Sequence, residues 1–164
     1  MVDQSGAIDG KEKLPRAGGP GAALWRAANR WQRVQRELLE PFRLTPVQFL
    51  LLSGLDGLSN RAPVNQADLA VHTGVDGMTT SQQIREMEQK KLVRRDPHPD
   101  DRRAVAIALT SQGRRLVNRA SPALAEAERA FFRALGPDAE AFAIALGLLN
   151  GEKPRHRVAA CHAV

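Results

Sequence analysis

Leu92-Val93-Arg94-Arg95-Asp96-Pro97-His98-Pro99-Asp100-Asp101-Arg102-Arg103-Ala104-Val105-Ala106-Ile107-Ala108-Leu109 is the stretch on which the fold turns. Apolar residues at Leu92-Val93, and again in alternation at Val105, Ile107 and Leu109, predict two short strands. Pro97-His98-Pro99-Asp100 supplies the bend between them, and Arg102 and Arg103 sit at its far side. A hairpin tipped with guanidinium groups is suited to a polyanionic partner, provided that a helix lies beside it.

The preceding residues predict that helix. Asn65 can cap a short helix whose third residue, Asp68, favours the positive end of the helix dipole, with Leu69, Ala70 and Val71 expected to face the core. Thr73-Gly74-Val75 gives a sharp turn, because glycine takes the left-handed conformation freely. Asp76 then caps a helix running to about Lys91. With Thr80, Ile84 and Met87 as its inward stripe, 100° per residue points Met78, Ser81, Gln82, Arg85 and Gln89 outward. These side chains are polar, short or flexible and suit base edges and phosphates. The prediction is a helix in the major groove of duplex DNA, with the loop on the neighbouring backbone or minor groove.

Outward from this centre the chain is helical. Residues 22–40 place Leu24, Ala28, Trp31, Gln35 and Leu38 on one face and Arg26, Arg30 and Arg33 on the other, and this helix should stop before Pro41. Thr45-Pro46 restarts a helix with an N-cap hydroxyl and a first-turn proline, and its leucine-rich body implies burial on more than one side. Ser59-Asn60-Arg61-Ala62-Pro63 reads as a loop. Thr110 caps a long helix over 111–135 in which Pro122 should impose a kink, and Gly136-Pro137 leads into a last helix over 137–150. Residues 1–21 and 151–164 lack an apolar period and read as a disordered arm and a flexible tail. The fold class is therefore mainly α with a small β-hairpin wing: a winged helix-turn-helix plus a helical dimerisation region. A DNA-binding lobe spans 44–110 within a single domain over 22–150. The segments 22–40, 111–135 and 137–150 carry apolar faces that one small winged lobe could not cover, which calls for a second copy of the chain.

Composition is consistent with this. A chain of 164 residues with net charge +6 favours an anionic partner without specifying one. The single cysteine, Cys161, excludes an internal disulfide, and no signal peptide or apolar run long enough for a bilayer is evident, which points to the cytoplasm and to no membrane partner.

Candidate sites follow from side-chain chemistry. Thr79, Ser81, Gln82 and Arg85 are placed at the major groove, glutamine matching an adenine edge and arginine a guanine or a phosphate. Arg102 and Arg103 are placed at a narrow minor groove, with Asp100 or Asp101 available to pair with one of them. Thr45, Gln48, Asn65, Gln66, His72, Thr73, Lys90, Arg94 and Arg95 are candidate phosphate contacts. Gln83 lies beside the inward stripe and receives no role. His156, Cys161 and His162 match no zinc pattern, nothing in the tail predicts a reactive thiolate, and neither a metal nor a cofactor is expected.

Leu44-Thr45-Pro46, Leu69-Ala70 with Gly74-Val75, Met78-Thr79-Thr80-Ser81-Gln82, Leu92-Val93-Arg94-Arg95, and Asp96-Pro97 through Asp101-Arg102-Arg103-Ala104 to Leu109-Thr110 with Gly113 together resemble the MarR family of winged helix-turn-helix transcription regulators. The resemblance covers about residues 22–149. The Asp-Arg-Arg wing followed by an alternating strand and a Leu-Thr-x-x-Gly helix start is its specific part. It implies a homodimer, repression at near-palindromic operators, and release by a small ligand or oxidant. It further implies that Asp101 orients Arg103 while Arg103 or Arg102 reaches the groove. In such dimers the first helix borders a crevice, so Trp25, with Arg26 or Arg30 to meet an acid group, is the candidate site for a flat aromatic effector, whereas Trp31 lies on the packing face.

Two other classes compete. An enzyme is disfavoured because the four histidines are scattered and no nucleophile elbow, phosphate loop or metal-ligand set is present. A winged module that binds protein or RNA without ligand control is the alternative. The absence of tyrosine and the scarcity of aromatics argue against a base-stacking platform.

Overall fold

The computed structural model describes residues 18–58, 63–97 and 105–153. The arm over 1–17, most of the loop at Ser59, the bend with Asp101, Arg102 and Arg103, and the tail with Cys161 lie outside the described residues.

Helix α1 spans Pro20–Leu39 and starts two residues before the expected position, because Pro20 occupies the first turn, where its missing N–H costs nothing. It ends ahead of Pro41 in a short 3-10 turn, Glu40–Phe42, closed by Arg43 in the left-handed region at φ 54°. Helix α2 spans Pro46–Leu58, α3 Gln66–Thr73 and α4 Gly77–Gln89. Strands β1, Val93–Pro97, and β2, Val105–Leu109, pair antiparallel with Val93 opposite Leu109 and Pro97 opposite Val105. Strand β1 is longer than the two apolar residues that announced it. Pairing with β2 draws in Arg94, Arg95 and Asp96, and the proline is tolerated at the strand's end. Val64 adds a single bridge on the other edge of β2, its carbonyl accepting from the Ile107 N–H at 2.7 Å. Helix α5, Ser111–Phe132, runs unbroken through Pro122, and a 3-10 segment over Arg133–Asp138 leads to α6, Ala139–Leu149.

The core lies where the end of α1 and the first half of α5 pack onto the winged lobe. Leu51, Leu52 and Leu55 of α2, Leu69 of α3, Ile84 and Met87 of α4, Val93, Ile107 and Leu109 of the hairpin, and Val117, Ala120 and Leu124 of α5 form one buried cluster with Leu39. Each Leu, Ile, Val or Met side chain among them contributes about 1.5–3 kcal/mol when fully removed from water, so this cluster holds the lobe together and α5 to it. Val71 corrects the expectation for α3: it is 85% exposed, and Ala70 is half-buried. Two residues on from Leu69 the helix has turned by about 200°, so Leu69 and Val71 cannot both face inward.

The junction of hairpin and α5 is unusually close. The Thr110 side chain accepts from the Gly113 N–H at 3.0 Å, capping α5 as expected, and donates to the Lys91 carbonyl at 2.7 Å. The Thr110 N–H donates to the Leu92 carbonyl at 3.0 Å. A Cβ built on Gly113 would lie 2.1 Å from that same carbonyl oxygen, so only glycine permits this approach. Lys91 makes the turn out of α4 in the left-handed region, at φ 58°.

Away from the lobe, α1 meets α5 through aromatic rings. Trp31 packs 5.2 Å from Phe131 and 6.1 Å from Phe132, centroid to centroid, and Phe132 reaches Phe142 of α6 at 6.2 Å. The expected apolar face of α1 divides: Trp31, Gln35 and Leu38 are half-buried, whereas Leu24 and Ala28 are exposed. Helix α6 reads Ala-Glu-Ala-Phe-Ala-Ile-Ala-Leu-Gly-Leu-Leu yet has no buried residue. Ile144, Leu148 and Leu149 are exposed.

Among the described residues no helix is long and apolar enough to cross a membrane.

Candidate nucleic-acid interface

Two side-chain caps and one glycine set the placement of α4. The Asn65 side chain accepts from the Asp68 N–H at 2.9 Å and starts α3, and Gly74 closes it at φ 69°. The Asp76 carboxylate accepts from the Thr79 N–H at 2.9 Å and starts α4. That N–H, with the Thr79 hydroxyl, holds the Asp76 carboxyl below its ordinary value of 3.8. The Gln66 amide donates to the Gly77 carbonyl at 3.2 Å and ties the starts of the two helices together.

Thr80, Ile84 and Met87 are fully buried, which fixes the rotation of α4 about its own axis. The opposite face therefore stands in solvent: Met78 is 83% exposed, and Gln82, Arg85 and Gln89 are exposed with it. Thr79 and Ser81 are half-buried and flank this row rather than crown it. Gln83 is half-buried, with its side-chain oxygen enclosed and without a hydrogen-bond partner.

Gln48 is a correction. A phosphate contact is expected of it, but it is 1% exposed and serves the interior. The Thr45 hydroxyl accepts from the Gln48 N–H at 3.1 Å, and the Gln48 carbonyl oxygen accepts from the Thr45 N–H at 3.4 Å. This is a reciprocal cap at the start of α2, and the Thr-x-x-Gln spacing of Thr45-Pro46-Val47-Gln48 is the local signal that announces it. The rest of the Gln48 amide faces α4: its Nε2 donates to Glu86 at 3.2 Å, and its Oε1 accepts from Lys90 Nζ at 3.1 Å. The second Glu86 oxygen accepts from the Gln82 amide at 3.2 Å. Glu86 thus joins the exposed Gln82 to a buried cap. Sequence reasoning missed it, since its partner Gln48 is 38 positions away and no spacing rule connects them.

The remaining candidates sit around this helix with their side chains partly engaged. Thr73 donates to the Leu69 carbonyl at 2.8 Å, and Lys90 also donates to the Arg43 carbonyl at 3.3 Å. Arg94 pairs with Asp96 at 2.7 Å and Arg95 with Glu88 at 3.3 Å. These pairs are open to water, where such bridges are worth little, so the guanidinium groups can exchange partners at small cost. Thr45 and His72 are exposed. Asp101, Arg102 and Arg103 lie outside the described residues, as stated above. The effector candidates are spread over the outer face of α1: Trp25 is 72% exposed, and the Arg30 guanidinium lies 5.7 Å from the Phe131 ring centroid. Arg26 is exposed on the same helix.

Helix, glycine turn, outward-facing second helix and antiparallel hairpin, all on one core, define the winged helix-turn-helix class. The MarR family model matches residues 44–105, which run from the start of α2 to the start of β2. Over 116 residues the chain is 35% identical to the uncharacterized HTH-type transcriptional regulator YdcH of Bacillus subtilis, spanning 70% of this chain and 79% of that protein. This protein belongs to the MarR family of transcriptional regulators. Solved structures agree in fold. BpsR of Bordetella bronchiseptica, whose DNA binding is regulated by 6-hydroxynicotinic acid, superposes with a TM-score of 0.72 at 26% identity, covering 85% of this chain and 97% of that one. The transcriptional repressor CouR bound to a 23-mer DNA duplex superposes with a TM-score of 0.68 at 27% identity, covering 82% and 93%.

Proposed function

We propose that this protein is a sequence-specific duplex-DNA-binding repressor that works as a homodimer and is released from its operator by a small aromatic acid. The observation that carries the DNA reading is the rotation of α4: complete burial of Thr80, Ile84 and Met87 leaves Met78, Gln82 and Arg85 with no role in the core. In the groove, Gln82 and Arg85 meet base edges, Thr79 and Ser81 line the flanks, and Arg102 and Arg103 enter the minor groove with Asp101 orienting Arg103. Thr45, Asn65, Gln66, His72, Thr73, Lys90, Arg94 and Arg95 meet phosphates. CouR on its 23-mer duplex supports the repressor reading, and BpsR with 6-hydroxynicotinic acid supports the class of effector.

The domain plan follows the same lines. The lobe over 44–110 reads DNA, and the segments 22–40, 111–135 and 137–150 join two copies. Uncovered Leu24, Ile144, Leu148 and Leu149 support the second part, since apolar helices at this length are stable when their faces are buried. Two-fold symmetry then sets the reading helices about 34 Å apart, one turn of duplex. The effector lies against α1 near Trp25, Arg26 and Arg30, where the partner protomer completes the crevice.

The test is a titration of duplex DNA from upstream of the protein's own gene, together with the solution mass. A dimer that protects a near-palindromic site, with affinity falling steeply as salt rises, is the expected result. Failure to retain any duplex at low salt would overturn the reading.

A further inference from the structure

Gln82 does not stand alone on the outward face of α4. Its Nε2 donates to one Glu86 oxygen at 3.2 Å, and the other Glu86 oxygen accepts from Gln48 Nε2 at 3.2 Å. Gln48 Oε1 in turn accepts from Lys90 Nζ at 3.1 Å. The chemistry of this chain fixes its direction. An ammonium only donates and a carboxylate only accepts, so the Gln48 amide must turn its oxygen to Lys90 and its nitrogen to Glu86. By the same rule Gln82 must offer its nitrogen to Glu86. The link next to Glu86 is the buried cap of α2, with Gln48 almost fully enclosed, so Glu86 is anchored from the core side.

We propose that Glu86 is the positioning residue that sets which base Gln82 reads, by holding the Gln82 amide in one of its two flips. This rests on the DNA-reading role given to α4 above. With its nitrogen anchored toward the helix C-terminus, Gln82 presents Oε1 and one remaining N–H. That acceptor and donor pair matches the N6 amine and N7 of adenine. A free glutamine can turn its amide over and offer donors alone, which suits the O4 of thymine or the O6 and N7 of guanine. Glu86 removes that second option. It touches no base; it acts through Gln82.

The test uses the full-length protein and a pool of randomised duplex DNA. Wild-type protein first selects its preferred duplexes, and Glu86→Ala, Gln82→Ala and the double variant are then measured on the selected duplex and on its single-base-pair variants. Discrimination for A·T at one position of each half-site is expected to fall at least fivefold in Glu86→Ala, while binding to the unaltered flanks is kept. In the Gln82→Ala background, adding Glu86→Ala should change that discrimination less than twofold, because the side chain it positions is gone. Gln48→Leu, which cuts the same chain one link further in, should relax the same base pair. Enrichment of no duplex by the wild type would overturn the DNA reading itself. A wild-type motif that Glu86→Ala leaves unchanged, or an equal loss on every duplex with a lowered unfolding midpoint, would overturn the positioning role alone.

Discussion

Gly113→Ala adds one methyl group, and the structure says where it would go. In an open helix this change is favourable by about 1 kcal/mol, because glycine is the poorer helix former. At Gly113 the new Cβ would lie 2.1 Å from the Leu92 carbonyl oxygen and 3.3 Å from a methyl of Leu109. Both neighbours are core or backbone, so α5 must withdraw by more than an ångström. Overpacking of this kind costs about 1–3 kcal/mol. Withdrawal also stretches the bonds from Thr110 to the Leu92 and Lys91 carbonyls, each worth about 1 kcal/mol. Set against the helix gain, the net loss is about 2–4 kcal/mol, or roughly 5–15 °C in Tm for a chain of this size. The assay is urea and thermal unfolding at one fixed protein concentration, which holds any effect of self-association on apparent stability constant. Gly57→Ala is the control: that helical glycine has nothing within 4 Å of a built Cβ, so its variant should be level with the wild type or gain up to about 1 kcal/mol. A Gly113→Ala protein as stable as the wild type would refute the close approach of α5 to the hairpin.

Four further outcomes are expected. Arg85→Ala and Arg103→Ala should each weaken operator binding by about 1–3 kcal/mol with unfolding midpoints unmoved; unchanged titrations would remove them from the interface. Gln48→Ala should do the reverse, costing about 1–3 kcal/mol of stability while leaving the salt dependence of DNA binding as it was, and a shallower salt slope would return Gln48 to the phosphate contacts. For Asp76 the sign is set by the lowered carboxyl: its stabilisation is complete above the ordinary value of 3.8 and disappears as pH falls through the lower folded value. Asp76→Asn keeps a capping oxygen but does not titrate, so the difference between the two proteins in urea should be larger at pH 7 than at pH 3 and would contradict the assignment if constant. Ile144→Asp with Leu148→Asp should convert the proposed dimer to monomer by light scattering while the lobe stays folded; an unaltered dimer mass would place the interface elsewhere.

What the sequence made legible was mostly local. Asn65, Asp76 and Thr110 cap helices three residues ahead of their partners, and the stripe Thr80, Ile84 and Met87 is long enough to set a rotation. The inward face of α3 is not legible at Val71, because the helix has only eight residues and one buried side chain, too few to define a face. Gln48 stands at a helix start, where a polar side chain suits a phosphate as well as a cap, and only the Thr-x-x-Gln spacing marks the reciprocal cap that the structure shows. Glu86 and Gly113 were beyond reach as parts of a geometry. Their roles depend on groups brought near by tertiary packing, namely the Gln48 amide and the Leu92 carbonyl. On α1 the apolar period was legible, but only its second half, Trp31, Gln35 and Leu38, is partly covered within one chain, while Leu24 and Ala28 stand exposed.

Helix α5 deserves to be thought of mechanically. Its first turn is fastened to the root of the arginine-bearing ribbon, and about 33 Å away its last turn carries Phe131 and Phe132 against Trp31. A rod fastened at both extremities gives the ring cluster and the ribbon one shared support, with Pro122, which has no N–H to bond the turn before it, as the one weakened point along its length.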